Sequence, residues 1–238
     1  GMTGVKWYGS NIANRDRGLP RSILMFLLSD TETGAPVAFM SANLLSAYRT
    51  GAVAGVGARY FARADSQVVG ILGPGVMAKT TFSALAVACP KIHTVKIKGR
   101  GKNSLESFRE WLGEKHPEVT SVVEVGTVEE LVRESDIVTF CTSGSAVPPD
   151  QYPMVRRAWV KPGAFFAMPA QCSMDEGMES PEVRKVVDSI GMYDAWADEL
   201  PKPLHVSVPV IGCRFLDMVD EGKLGRDDID DLGRIAAG

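Results

Sequence analysis

Apolar residues recur in two rhythms along this chain, and the change from one to the other divides it. An apolar segment at 22–28 runs into Ser29-Asp30-Thr31-Glu32-Thr33-Gly34, and a second apolar segment follows at 36–40. Two such runs about a cluster of turn residues predict an antiparallel hairpin. Over 41–60 the period lengthens, with Leu44, Leu45, Tyr48, Ala52, Val56 and Tyr60 at three- and four-residue steps. This spacing predicts a helix that starts near Ser41 or Asn43. After Ala64-Asp65-Ser66 the two rhythms alternate: strands at 68–72, 94–98, 121–125, 137–141 and 164–168, with helices at 76–89, 104–114 and 128–134. Pro90 stops the first of these helices, and Thr127 with Glu130 forms a capping box at the start of the last. Short strands are expected at 186–188 and 208–211, and 215–237 is polar with a sparse helical period. Strands separated by helices in this order predict an α/β fold with a doubly wound parallel sheet.

Composition narrows the class. The 238 residues are 45% hydrophobic and 23% charged, ordinary values for a globular protein that can bury a full core. A net charge of −3 argues against a general nucleic-acid or acidic-membrane surface. The longest apolar run, 23–28, is far too short to span a bilayer. Four cysteines (Cys89, Cys141, Cys172, Cys213) show no CxxC pair and no histidine at metal-ligand spacing. They read as small buried thiols in a reducing, cytoplasmic setting, and no metal site is expected. His93, His116 and His205 lie in no motif and read as surface or turn residues.

Gly73-Pro74-Gly75-Val76-Met77-Ala78 carries the chemistry, because it joins the 68–72 strand to the helix that follows. Gly73 permits a tight turn, Gly75 leaves room for a close ligand, and Ala78 lets the helix lie on the strand. Backbone amides at such a helix start bind a diphosphate, the phosphate-cradling turn of a dinucleotide-binding βαβ unit. The competing reading is a glycine turn that binds nothing. Thr142 and Ser143, at the end of the fourth strand, complete the candidate cofactor set. The second strand ends in Lys98-Gly99-Arg100-Gly101-Lys102, with no carboxylate to accept a ribose 2′-hydroxyl. A 2′-phosphate would instead be welcomed by Arg100, so NADP(H) is expected in preference to NAD(H), unless these cations form only a solvated turn.

With these residues in hand, the chain resembles the ornithine cyclodeaminase/mu-crystallin family. The resemblance is carried by Gly4-Val5-Lys6-Trp7, Gly18-Leu19-Pro20-Arg21, Asp30-Thr31-Glu32-Thr33-Gly34, Tyr48-Arg49-Thr50-Gly51-Ala52, the stretch 70–78 and the tail 228–238. It implies a Rossmann-type cofactor domain at 65–214 and part of a smaller substrate and dimerisation domain at 1–64. A C-terminal helical segment, 215–238, would return towards the first domain. It also implies a homodimer that transfers hydride at a C–N bond of an amino acid or imine. Lys6 and Arg49 would clamp the substrate carboxylate, and Thr50 would touch the cofactor. A planar guanidinium grips a carboxylate bidentately, and an ammonium adds a point charge and a proton donor. The competing readings are a surface lysine and an arginine in an ordinary salt bridge.

Two departures qualify the resemblance. Cyclodeaminases place an aspartate after the fifth strand, whereas this chain continues Pro169-Ala170-Gln171-Cys172-Ser173. Asp175 or Glu176 would have to substitute, so a reductase or dehydrogenase is expected before an ornithine cyclodeaminase forming proline. A third alternative is a non-catalytic protein that binds NADPH and a small ligand. The chain is also shorter than the family at both ends, by roughly fifty residues each on the scale of usual domain sizes. The smaller domain is therefore expected to be partly missing.

Overall fold

The structure, a computed structural model, describes residues 1–142 and 151–238. Contacts divide the chain into two compact units, Gly1–Thr50 and Gly51–Gly238.

The first unit is an antiparallel meander of β1 (Met2–Ser10), β2 (Ser22–Asp30) and β3 (Pro36–Ser41), in the order β1-β2-β3. The β2–β3 turn closes because the Asp30 carboxylate accepts from the amides of Glu32 and Thr33 and from the Thr33 hydroxyl. Gly34 completes it at φ +72°, a conformation that costs glycine little. The predicted hairpin is therefore present; β1, on its outer edge, is not anticipated by the hydrophobic pattern. Cross-strand register sets Lys6 opposite Phe26 and Phe26 opposite Met40 on one face. The other face carries Val5, Trp7, Ile23, Leu27 and Phe39, of which Trp7 is 72% and Phe39 71% exposed. Helix α1 (Asn43–Phe61) follows. Its first residue is stitched to β2: Leu24 N–H donates to Asn43 Oδ1 and Asn43 Nδ2 donates to the Ser22 carbonyl. The boundary between the units falls within this helix.

The second unit is built on a five-stranded parallel sheet. Its strands are β4 (Val68–Leu72), β5 (Thr94–Lys98), β6 (Ser121–Glu124), β7 (Ile137–Phe140) and, after the two-residue β8 (Met154–Val155), β9 (Phe165–Ala167). The spatial order is β6-β5-β4-β7-β9, so the chain winds outward from β4 through β5 to β6, then crosses back to β7 on the other side. That reversal is a topological switch point, and α/β sheets generally bind ligands beyond the carboxyl ends of the strands at such a point, here β4 and β7. The connecting helices are α2 (Val76–Ala88), α3 (Lys102–Lys115) and α4 (Val128–Val132). β4 and β7 read as near-continuous apolar runs because both their faces are covered. Val69 and Ile71 pack with Phe82, Leu85, Phe108 and Leu112 of α2 and α3; Leu72, Val138 and Phe140 pack with Leu131 and Val132 of α4. α4 has the expected capping box, Thr127 accepting from the Glu130 amide while Glu130 reaches back. Within this unit α1 lies tightly on α2. A Cβ on Gly51 would sit 2.5–2.7 Å from Thr80 and Thr81 backbone atoms, and one on Gly55 would sit 2.7 Å from the Ala84 methyl.

The remainder of the second unit carries short elements. β10 (Ser173–Met174) pairs with β8, and α5 (Glu176–Glu179) follows it. β11 (Lys185–Val187) confirms one expected short strand. Next come α6 (Ile190–Glu199), α7 (Leu204–Ser207) and α8 (Ile211–Asp220), then β12 (Ile229–Asp231), which pairs with β11, and α9 (Leu232–Ala237). Val187, Ile190, Tyr193, Leu204, Cys213, Leu216 and Ile229 form their core. The strand expected at 208–211 is not formed: Val208 caps α7 and Ile211 opens α8. A four-residue apolar run fits a buried helix start as well as a strand, and here packing on Tyr193 and Leu204 decides for the helix. Nor is 215–238 simply helical, since it contains the end of α8, β12 and α9.

Candidate functional site

The glycine turn stands at the carboxyl edge of the parallel sheet. Gly73, at φ +85°, donates its N–H to the Lys98 carbonyl at 2.8 Å, and a Cβ there would lie 3.0 Å from Cys141 and Thr142 backbone atoms. Both constraints demand glycine. Pro74 leads to Gly75, whose N–H turns back to the Gly73 carbonyl at 2.8 Å. Gly75 has an ordinary extended backbone (φ −113°), and a Cβ on it would meet no atom of the described residues within 4 Å. Neither packing nor backbone strain requires glycine there, so the space it leaves faces outward. Gly75 is the N-cap of α2, without a side-chain cap and with no acidic residue in the first turn. The first amides of the helix, at Val76 and Met77, therefore have no acceptor within it and add to the positive end of its dipole. Ala78 is fully buried, as helix-on-strand packing requires.

Two further groups belong to this edge. Among the described residues, the Thr142 hydroxyl oxygen is buried without a hydrogen-bond partner. Such orphans are uncommon and call for an explanation, for which a bound polar molecule is one. Ser143 lies outside the described residues. At the end of β5 the three cations divide. The Lys98 ammonium is diverted to the Gly126 carbonyl, and Lys102 faces Glu106 at 3.9 Å. Arg100 is exposed and, among the described residues, makes no hydrogen bond or ion pair. An open diphosphate turn, an orphaned hydroxyl and a free guanidinium along one edge fit a dinucleotide.

The residues expected to form a carboxylate clamp lie in the first unit. Lys6 projects from β1, exposed, with its ammonium 5.9 Å from the centroid of the Tyr8 ring. Arg49 is exposed on α1 and makes no hydrogen bond or ion pair among the described residues. Thr50 is half-buried and donates its hydroxyl to the Ser46 carbonyl at 2.9 Å.

The region after β9 contains no carboxylate free for proton transfer at the expected position. Cys172 points its thiol at the Met168 sulfur, 3.7 Å away, and burial pushes that thiol up to about 12. Burial likewise raises Cys141 to about 11, so both thiols stay protonated at neutral pH. Asp175 is committed to structure: one oxygen accepts from the Arg157 and Met178 amides and caps α5. Glu176 remains exposed. Two polar pairs went unseen in the sequence. His116 packs edge-on against Phe82 and Trp111 while bonding Ser83 and Glu118; His205 donates to Asp217, which is 3% exposed and also accepts two backbone amides. Glu118 is two residues from His116, but Phe82, Ser83 and Asp217 lie a dozen or more residues from the histidines they meet, and no local motif announces those contacts.

The alanine dehydrogenase of Archaeoglobus fulgidus is 30% identical over 166 residues, which is 70% of this chain and 48% of that protein. The chain thus spans about half the length of the curated relatives it first matches. Among solved structures, the Thermococcus litoralis Δ1-pyrroline-2-carboxylate reductase in complex with NADH and L-proline superposes at TM-score 0.75 with 25% identity, over 99% of this chain and 67% of that one. An archaeal alanine dehydrogenase dimer with bound NAD gives 0.73 with 26% identity, over 100% and 67%. The model of the ornithine cyclodeaminase/mu-crystallin family matches residues 1–238, and the chain belongs to that family.

Proposed function

We propose that this chain is the cofactor-binding part of an oxidoreductase that transfers hydride at a C–N bond of an amino acid or imine, with NADP(H) preferred to NAD(H). The observation that carries the reading is the carboxyl edge of the sheet, where among the described residues no atom fills the space Gly75 leaves and the buried Thr142 hydroxyl has no partner. A nicotinamide cofactor, where bound, supplies or accepts the hydride. The chain's own residues do the rest. Amides at the start of α2 hold the diphosphate, and Arg100 takes the 2′-phosphate that a carboxylate would repel. Lys6 and Arg49 fix the substrate carboxylate, and the Lys6 ammonium can give a proton to the imine nitrogen as it gains hydride at carbon. Holding the substrate in one orientation supplies much of the rate enhancement. In this reading residues 1–64 serve substrate and dimer contacts, 65–214 the cofactor, and 215–238 return towards the first domain.

A proline-forming cyclodeaminase would need an acid after β9. One Asp175 oxygen is taken up by the Arg157 and Met178 amides, which leaves Glu176 as the exposed acid among the described residues that follow β9. The test is a titration with NADPH and NADH, followed by nicotinamide absorbance with cyclic and open imino acids. Net oxidation of NADPH by an imino acid is the expected result. Turnover of ornithine without net change would favour the cyclodeaminase, and binding without turnover of any substrate a ligand-storing protein.

We also read the exposed apolar face of the β1–β3 sheet as the contact of a homodimer. Large contiguous apolar patches on a surface mark such interfaces.

A further inference from the structure

Resting on the cofactor reading above, we infer that Gly99 is a positioning residue that sets coenzyme choice: its missing side chain lets the turn after β5 close on Pro74 and so holds the Arg100 turn against the diphosphate loop. A Cβ at Gly99 would lie 2.9 Å from Pro74 Cδ, 3.1 Å from Cγ and 3.3 Å from a methyl of Leu105. Gly99 does not occupy the left-handed region, so the backbone would tolerate alanine and only these neighbours object. The pyrrolidine ring cannot swing aside as a long side chain would. Nor can its loop retreat: Gly73 is tied to the Lys98 carbonyl and rests against Cys141 and Thr142. On the other side Lys98 is anchored through its ammonium to the Gly126 carbonyl, and α3 begins at Lys102, with Leu105 N–H donating to the Gly101 carbonyl. Between two fixed points, the segment that must give is 99–101, which carries Arg100. A methyl at 99 therefore displaces the guanidinium assigned to the 2′-phosphate, while leaving the diphosphate amides in place.

The test is a binding cycle on the full chain with wild type, Gly99→Ala, Pro74→Ala and the double variant. Each is titrated with NADPH, NADH and adenosine 2′,5′-bisphosphate by fluorescence and calorimetry, with no turnover required. Gly99→Ala is expected to weaken NADPH and the bisphosphate about ten-fold, as one to two kcal/mol of overpacking would, and NADH less. In the Pro74→Ala background, which lacks the two nearest clashing atoms, the same change should cost under about two-fold. Equal loss for both coenzymes, no loss for either, or an undiminished loss in the Pro74→Ala background would overturn the inference. If Gly99→Ala alone does not fold, the double variant is compared with Pro74→Ala instead, and a double variant that also fails to fold overturns the inference. Wild-type protein that binds neither coenzyme defeats the functional reading itself, a result distinct from all of these.

Discussion

Glycines at two positions do two separate jobs, and substitution separates them. Gly51 lies within α1, where alanine would ordinarily gain about 1 kcal/mol of helix propensity. Its Cβ would, however, fall 2.5–2.7 Å from the backbone of Thr80 and Thr81, which cannot rotate away. Gly51→Ala should therefore destabilise the chain by about 1–3 kcal/mol, read as a lower urea midpoint at unchanged slope. Gly75→Ala meets no atom of the described residues and should change stability by no more than about 0.5 kcal/mol. It should nevertheless weaken coenzyme binding at least about ten-fold, because the methyl enters the ligand's space. Equal effects of the two variants on folding and binding would contradict this division of roles. The place of Gly75 was legible in the sequence, since a strand, a turn and a helix frame it. That of Gly51 was not, because nothing local to α1 says which element will lie against it.

Elements are joined here by polar contacts between segments far apart in the chain. The Asp136 carboxylate, at the amino edge of the parallel sheet, accepts from the amides of Gln67 and Val68 at 2.9 and 3.0 Å and from Lys161 at 2.5 Å. It thereby binds the starts of β4 and β7 to the segment that leads into β9. Burial alone would raise this carboxyl; the Lys161 ammonium and the two amides outweigh it and hold the group below its ordinary 3.8. A depressed folded value means the carboxylate stabilises above the unfolded pKa and that this contribution is lost as pH falls through the folded one. Wild type should thus lose stability below about pH 4. Asp136→Asn should be less stable by about 2 kcal/mol at neutral pH and show a shallower acid dependence, measured by thermal melts across pH. An identical acid slope in the two proteins would remove Asp136 from this role. The strands and helices of the second unit were readable because apolar period and capping residues are local signals. β1 was not: its interleaved Lys6, Tyr8 and two glycines hide the alternation, and only pairing with β2 makes it a strand. The run at 208–211 misled for the opposite reason, being apolar enough for either element.

At the scale of the whole molecule, the exposed sheet face is a property that the hairpin pattern alone did not display, because it emerges only when β1 adds Val5 and Trp7 beside Leu27 and Phe39. If this face is the dimer contact, Trp7→Glu combined with Phe39→Glu should shift the sedimentation of the chain from dimer to monomer while far-ultraviolet dichroism is retained. A wild-type monomer at high micromolar concentration would refute that assignment. The fold class and the glycine turn were accessible from periodicity; the proposals of a clamp at Lys6 and Arg49 and of paired chains rest on family resemblance.

The edge proposed for the coenzyme is assembled from positions 73, 99 and 142, three stretches that meet because β5, β4 and β7 lie side by side. Peptides carrying any one stretch would not reproduce it. A nucleotide seated there draws on the integrity of the entire sheet, so by mass action its occupancy should slow proteolysis throughout the second unit, at cleavage sites remote from the ligand as well as near it.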